Sequence, residues 1–83
     1  MRVLYFAWLR EKTGTGTEDI ALPASVTTAA ELVAWLRTRG PGFADAFATP
    51  ALFRCAIDQE FCALDAPLAG ATEIAFFPPV TGG

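Results

Sequence analysis

The residues with the most chemistry to offer stand together at the end of the chain, Phe77-Pro78-Pro79-Val80-Thr81-Gly82-Gly83. Two consecutive prolines favour an extended polyproline path and cannot continue a strand, so Pro78 and Pro79 push the last four residues off the domain body. Gly82 and Gly83 have no Cβ, which lets the chain enter a channel too narrow for other residues. The group delivered would be the α-carboxylate of Gly83. A carboxylate is inert until one oxygen becomes a good leaving group. Adenylation by a partner using ATP would convert Gly83 to a mixed anhydride, open to a sulfur nucleophile or an amine. Sulfur would leave a thiocarboxylate and an amine an isopeptide. Glycines also end plain frayed tails. The stiff Pro-Pro step behind an aromatic strand is what favours a presented arm.

Little else in the chain is equipped for catalysis. There is no histidine, so the usual general base near neutral pH is absent, and with it His-based triads and His metal sites. Cys55 and Cys62, with six residues between them, fit neither a zinc knuckle nor a redox CxxC pattern. A two-residue turn at Asp58-Gln59 would set them opposite each other, where a disulfide is sterically conceivable against the alternative of two small core thiols. Asp58, Glu60 and Asp65 read as a solvated edge rather than a metal site. Gly14-Thr15-Gly16 is too short for a phosphate loop and lacks its lysine. Trp8 and Trp35 read as core or boundary aromatics.

The elements that must hold such an arm can be read from the pattern. Val3–Trp8 is rich in β-formers and apolar in both phases, as expected of a central strand. Leu9–Gly14 reads as a polar exit, and Glu18–Leu22 alternates as a second strand that ends at Pro23. Thr28-Ala29-Ala30-Glu31 has capping-box spacing. Ala29, Leu32, Val33 and Leu36 then form one apolar helical face, which Gly40-Pro41 terminates. Phe43–Ala48 suggests a short helical turn over the core. Leu52–Ile57 and Glu60–Ala63 form a hairpin about Asp58-Gln59, in which Asp58 suits a left-handed turn position. Thr72–Phe77 is the last strand, with Ile74 and Phe76 facing inward and Phe77 left as contact surface. The fold class is α+β, a mixed sheet crossed by one main helix, with residues 1–77 as the domain and 78–83 as a flexible C-terminal tail.

Composition narrows the partners. The chain has 83 residues, enough for one small core, and 53% of them are apolar, so some apolar surface is expected to face a partner. The net charge is −3, and from Phe43 onward five acids face a single base, Arg54. No basic patch suits nucleic acid; a protein with a basic docking surface fits better. The apolar run after Arg2 is too short for a signal peptide, and nothing is long enough to span a membrane. Two cysteines without a secretion signal suggest a reducing, cytoplasmic setting.

Three blocks of sequence carry a family likeness: Val3-x-Tyr5-Phe6-Ala7-x-Leu9-Arg10-Glu11-x-x-Gly14, Cys55–Phe61, and Glu73–Gly83. Through them the chain resembles the molybdopterin synthase small-subunit family, ubiquitin-like sulfur carriers of the β-grasp fold. A terminal diglycine alone would also suit a ubiquitin-like modifier or a sulfur carrier of another pathway; the Phe-Pro-Pro-Val-Thr approach favours the molybdopterin branch. The resemblance implies that Gly83 is adenylated by an ATP-dependent adenylyltransferase and then thiocarboxylated. It implies further that Pro79, Val80, Thr81 and Gly82 thread into a large subunit, where sulfur passes to a cyclic pyranopterin precursor. Two small subunits would flank a large-subunit dimer, with Phe77 and Pro78 at the interface and Phe76 as support. No cofactor is expected on the chain itself, and the catalytic side chains would belong to the large subunit. Asp58 stands where the family often has Asn, and Gly70-Ala71-Thr72-Glu73 where it often has Gly-Asp-Glu; both read as turn variation.

Overall fold

The computed structural model describes residues 1–79. Its elements are β1 (Arg2–Tyr5), α1 (Trp8–Thr13), β2 (Thr17–Asp19), α2 (Ala29–Arg37), α3 (Pro41–Ala46), a single 3₁₀ turn at Pro50–Leu52, β3 (Arg54–Ile57), β4 (Glu60–Cys62) and β5 (Glu73–Phe77). The sheet runs in the order β2-β1-β5-β3-β4. Its central pair, β1 and β5, is parallel with Val3 opposite Ile74 and Tyr5 opposite Phe76. The other pairs are antiparallel. This is the α+β arrangement read from the pattern, with one face of the sheet covered by α2 and its neighbours.

Helix α2 forms for the reasons its sequence states. Thr28 accepts from the Glu31 amide at 3.2 Å, and the Glu31 carboxylate accepts from the Thr28 amide at 3.1 Å, so the capping box is closed. Ala29, Leu32, Val33 and Leu36 are all buried. They meet Val3, Tyr5, Cys55, Ile74 and Phe76 from the sheet and Ala46 and Phe47 from the α3 region in one core. Phe47 packs edge-on against Phe76 at 4.9 Å and Phe53 at 5.1 Å, a geometry that suits aromatic quadrupoles. Where Tyr5 enters this core its hydroxyl donates to Glu18 at 2.7 Å, and Arg39, just past α2, binds the same carboxylate oxygen at 2.7 Å. The Arg39 hydrogen bond holds the Glu18 carboxyl below its ordinary value, with the Tyr5 hydroxyl adding to the effect.

Four expectations change. The first strand stops at Tyr5 rather than Trp8, because Ala7 takes a left-handed φ of 54° that turns the chain into α1. The stretch read as a polar exit is therefore a short helix, ended by Gly14 at φ 79°, whose amide returns to the Arg10 carbonyl. Its one fully buried side chain, Leu9, gave too little periodicity to reveal it. The third strand begins at Arg54 rather than Leu52, since Pro50 opens a 3₁₀ turn and leaves Leu52 exposed. The second strand is likewise shorter than its alternation suggested, although Ile20 beyond it is buried and its amide donates to the Met1 carbonyl.

Candidate functional site

The tail springs from β5, the strand held on both sides. Ile74 and Phe76 are fully buried, while Ala75 and Phe77 are half-buried on the opposite face, as the phase of the strand required. Phe76 accordingly has no surface to offer a partner, and its part is to anchor the strand from below. Pro78 and Pro79 come next, half-buried, where the strand ends. Val80, Thr81, Gly82 and Gly83 lie outside the described residues.

The start of β5 is pinned as firmly as its middle. Asp58 and Gln59 both take positive φ, 48° and 72°, giving the hairpin turn between β3 and β4 the twist that a two-residue loop requires. The Asp58 carboxylate then reaches across to β5. It accepts from the Thr72 hydroxyl at 2.8 Å and from the Thr72 and Glu73 amides at 3.0 Å each. These bonds, the Thr72 hydroxyl first, lower the Asp58 pKa and keep it a carboxylate. Arg2 on the neighbouring strand donates to Glu73, which is 8% exposed. The register of β5, and with it the point where the tail leaves, is thus fixed by a side chain from the β3–β4 turn and another from β1.

The sheet face away from α2 has no cover among the described residues. Alternation and register place Leu4, Ala56, Ala75, Phe61 and Phe77 there, because Leu4 pairs with Ala75, Ala75 with Ala56, and Ala56 with Phe61. Phe61 is 80% exposed and stacks at a tilt on Phe77 with 5.6 Å between ring centres. Phe6, next in the alternation of β1, is 49% exposed. Arg54, paired with Phe77 in the ladder, is exposed at the edge of this patch. A cavity of about 330 Å³ lies between Arg54, Cys55, Phe61, Cys62 and Phe77. Large aromatics left in water beside a chain exit make this face a candidate docking surface.

Sequence reasoning expected Phe77 and Pro78 at a partner interface and did not single out Phe6 and Phe61, which share the open face. The signal for Phe61 was present. A two-residue turn at Asp58-Gln59 puts Phe61 opposite Ala56, and Ala56 shares the outward phase of Phe77 across the ladder. Among the described residues, no group of three or more His, Cys, Asp or Glu side chains could hold a metal ion. No helix among them is long and apolar enough to cross a membrane.

Comparison with known proteins agrees with this geometry. The ThiS family profile matches residues 3–83. The molybdopterin synthase sulfur carrier subunit of Escherichia coli is 36% identical over 83 residues, covering 100% of this chain and 99% of that protein. The human protein of the same name is 37% identical over 86 residues, covering 100% and 93%. Among solved structures, SAMP1 from Haloferax volcanii superposes with a TM-score of 0.70 at 25% identity over 100% of this chain and 98% of its own. A Pyrococcus furiosus protein provisionally described as molybdopterin converting factor subunit 1 gives 0.74 at 25% identity, covering 95% of each chain. With its central parallel pair, crossing helix and strand order, the fold is the ubiquitin-like β-grasp. The chain belongs to the ThiS family, among the molybdopterin synthase sulfur carrier subunits.

Proposed function

We propose that this chain is the sulfur carrier of a molybdopterin synthase, acting in the cytoplasm as a consumed and recharged co-substrate. The observation that carries the reading is the full-length match to three carriers of that name, at 36–37% identity. The geometry supports it: a rigid central strand delivers Pro78 and Pro79 at the rim of an uncovered aromatic face. In the cycle, a carboxylate oxygen of Gly83 attacks the α-phosphorus of ATP on an adenylyltransferase, and pyrophosphate leaves. A persulfide attacks the acyl carbon through its outer sulfur and AMP departs, giving an acyl disulfide; a second thiol of the sulfur donor then attacks the inner sulfur, forming a disulfide with it and releasing the thiocarboxylate. The tail, Pro79 to Gly83, enters the active site of a large subunit, which supplies the catalytic side chains, and sulfur passes to a cyclic pyranopterin precursor. Two transfers make the dithiolene. The assembly is a large-subunit dimer with one carrier at each end, docked through Phe61, Phe77 and Phe6 with Pro78 at the tail root. Tight docking holds the thiocarboxylate near the precursor and makes the transfer effectively unimolecular.

The test is a chain with one alanine appended after Gly83, compared with the native chain in a reconstituted system of adenylyltransferase, sulfur donor, large subunit and precursor. The extended chain should fold and dock but form no dithiolene, because its terminal carboxylate is displaced and no longer that of glycine. Dithiolene formation at the native rate would refute the proposal.

A further inference from the structure

The carrier reading makes no use of Cys55 and Cys62, yet the fold brings them together. They are register partners across β3 and β4, on the same face of the hairpin. Facing residues of an antiparallel pair have Cα atoms about 4.5–5.5 Å apart, inside the roughly 4.4–6.8 Å that a disulfide spans. Their sulfurs are in contact at 3.1 Å as free thiols.

The two differ in access. Cys55 is 2% exposed, and burial, with the hydrogen bond to Cys62, pushes its thiol up to about 12. Cys62 is half-buried on the edge strand and lines the cavity beside Phe61 and Phe77. An accessible thiol backed by a buried one in contact with it is the arrangement of an attacking and a resolving cysteine. The bond would close a loop with only six residues inside, in a hairpin already held by its own ladder, so it adds little as a staple and is suited to making and breaking.

We infer that Cys55 and Cys62 form a reversible dithiol–disulfide site that small-molecule disulfides oxidise. The Cys62 thiolate attacks one sulfur of the disulfide RSSR, forming a mixed disulfide and releasing one thiolate. Cys55 gives up its proton and attacks the Cys62 sulfur, expelling the second thiolate, and the two released thiolates take up protons as two RSH. Both cysteines together lose two electrons, and RSSR gains them. The inference concerns the chain's own thiols and stands independently of the docking surface and of sulfur carriage.

The experiment is incubation of the full chain with glutathione disulfide, followed by alkylation, intact-mass measurement and peptide mapping. The expected product has lost two hydrogens, resists alkylation and contains a Cys55–Cys62 link that excess glutathione reverses. In Cys55→Ser the reaction should stop at one glutathione adduct on Cys62, and in Cys62→Ser the adduct on Cys55 should form about tenfold or more slowly. Circular dichroism checks that each variant is folded, with the alanine variants as substitutes. Retention of both thiols in the native chain, separate adducts on both cysteines, or disulfides only between chains would overturn the inference.

Discussion

Phe76 on β5 and Phe61 on β4 should separate stability from docking. Phe76 is fully buried and has Tyr5, Phe47 and Phe53 within 4.9–6.3 Å between ring centres. Truncating such a side chain loses its transfer free energy and leaves a cavity the surrounding rings cannot fill, together about 3–5 kcal/mol. A domain of this size has roughly 4–12 kcal/mol in total. With an unfolding entropy of about 2.1 cal/mol/K per residue, Phe76→Ala should lower the thermal midpoint by about 15–30 °C. Phe61 is the opposite case: at 80% exposure it has almost its whole ring left to bury. Burying a phenylalanine side chain is worth about 1.5–3 kcal/mol, so Phe61→Ala should weaken binding to a large subunit by about 1.2–2.4 kcal/mol, roughly ten- to fifty-fold. Half-buried Phe77 should lose less from area alone, and Phe77→Asp more, since it sets a charge in an apolar contact. Differential scanning calorimetry and titration calorimetry read the two effects. A Phe76→Ala midpoint within a few degrees of native would refute the packing argument. An unchanged affinity in Phe61→Ala would remove the open face from the interface.

Glu18 supplies a pH-dependent stability. Its folded pKa lies below the ordinary 4.5, so its contribution is fully present above about pH 4.5 and is lost as pH falls through the folded value. Glu18→Gln should therefore flatten the acid limb of a pH–stability profile; an identical limb would show that the Tyr5–Glu18–Arg39 network is energetically silent. Thr28→Ala opens the capping box and should cost about 1 kcal/mol, or roughly 6 °C, by thermal melting. No change would mean that other contacts hold the start of α2. Deleting Gly82 and Gly83 should leave the melting temperature within about 2 °C while abolishing sulfur transfer, and a transition lowered by more would place the tail in the folded core.

The legible parts of the fold were those where one local signal dominates. Thr28 and Glu31 announce a helix start, four apolar residues at helical spacing announce its buried face, and Asp58 marks a left-handed turn. Helix α1 was hidden because it is six residues long, buries only Leu9 fully, and begins at a left-handed Ala7 that no propensity predicts. The open aromatic face was half legible for a related reason. Phe77 could be placed from the phase of a single strand, whereas Phe6 and Phe61 join it only through the ladders between strands. The pinning of β5 by Asp58 was beyond reach, since it links a turn to residues fourteen and fifteen positions away. The meeting of Cys55 with Cys62 was foreseeable, because a two-residue turn fixes the hairpin register.

The central claim is that Gly83 carries sulfur, and the most direct measurement is an intact-mass spectrum of the chain after incubation with a cognate adenylyltransferase, ATP and a sulfur donor, with fragmentation to locate any change. The account predicts a gain equal to the exchange of one oxygen for sulfur, confined to Gly83 and dependent on ATP. An unchanged mass, with the same adenylyltransferase shown to charge another carrier, would contradict it.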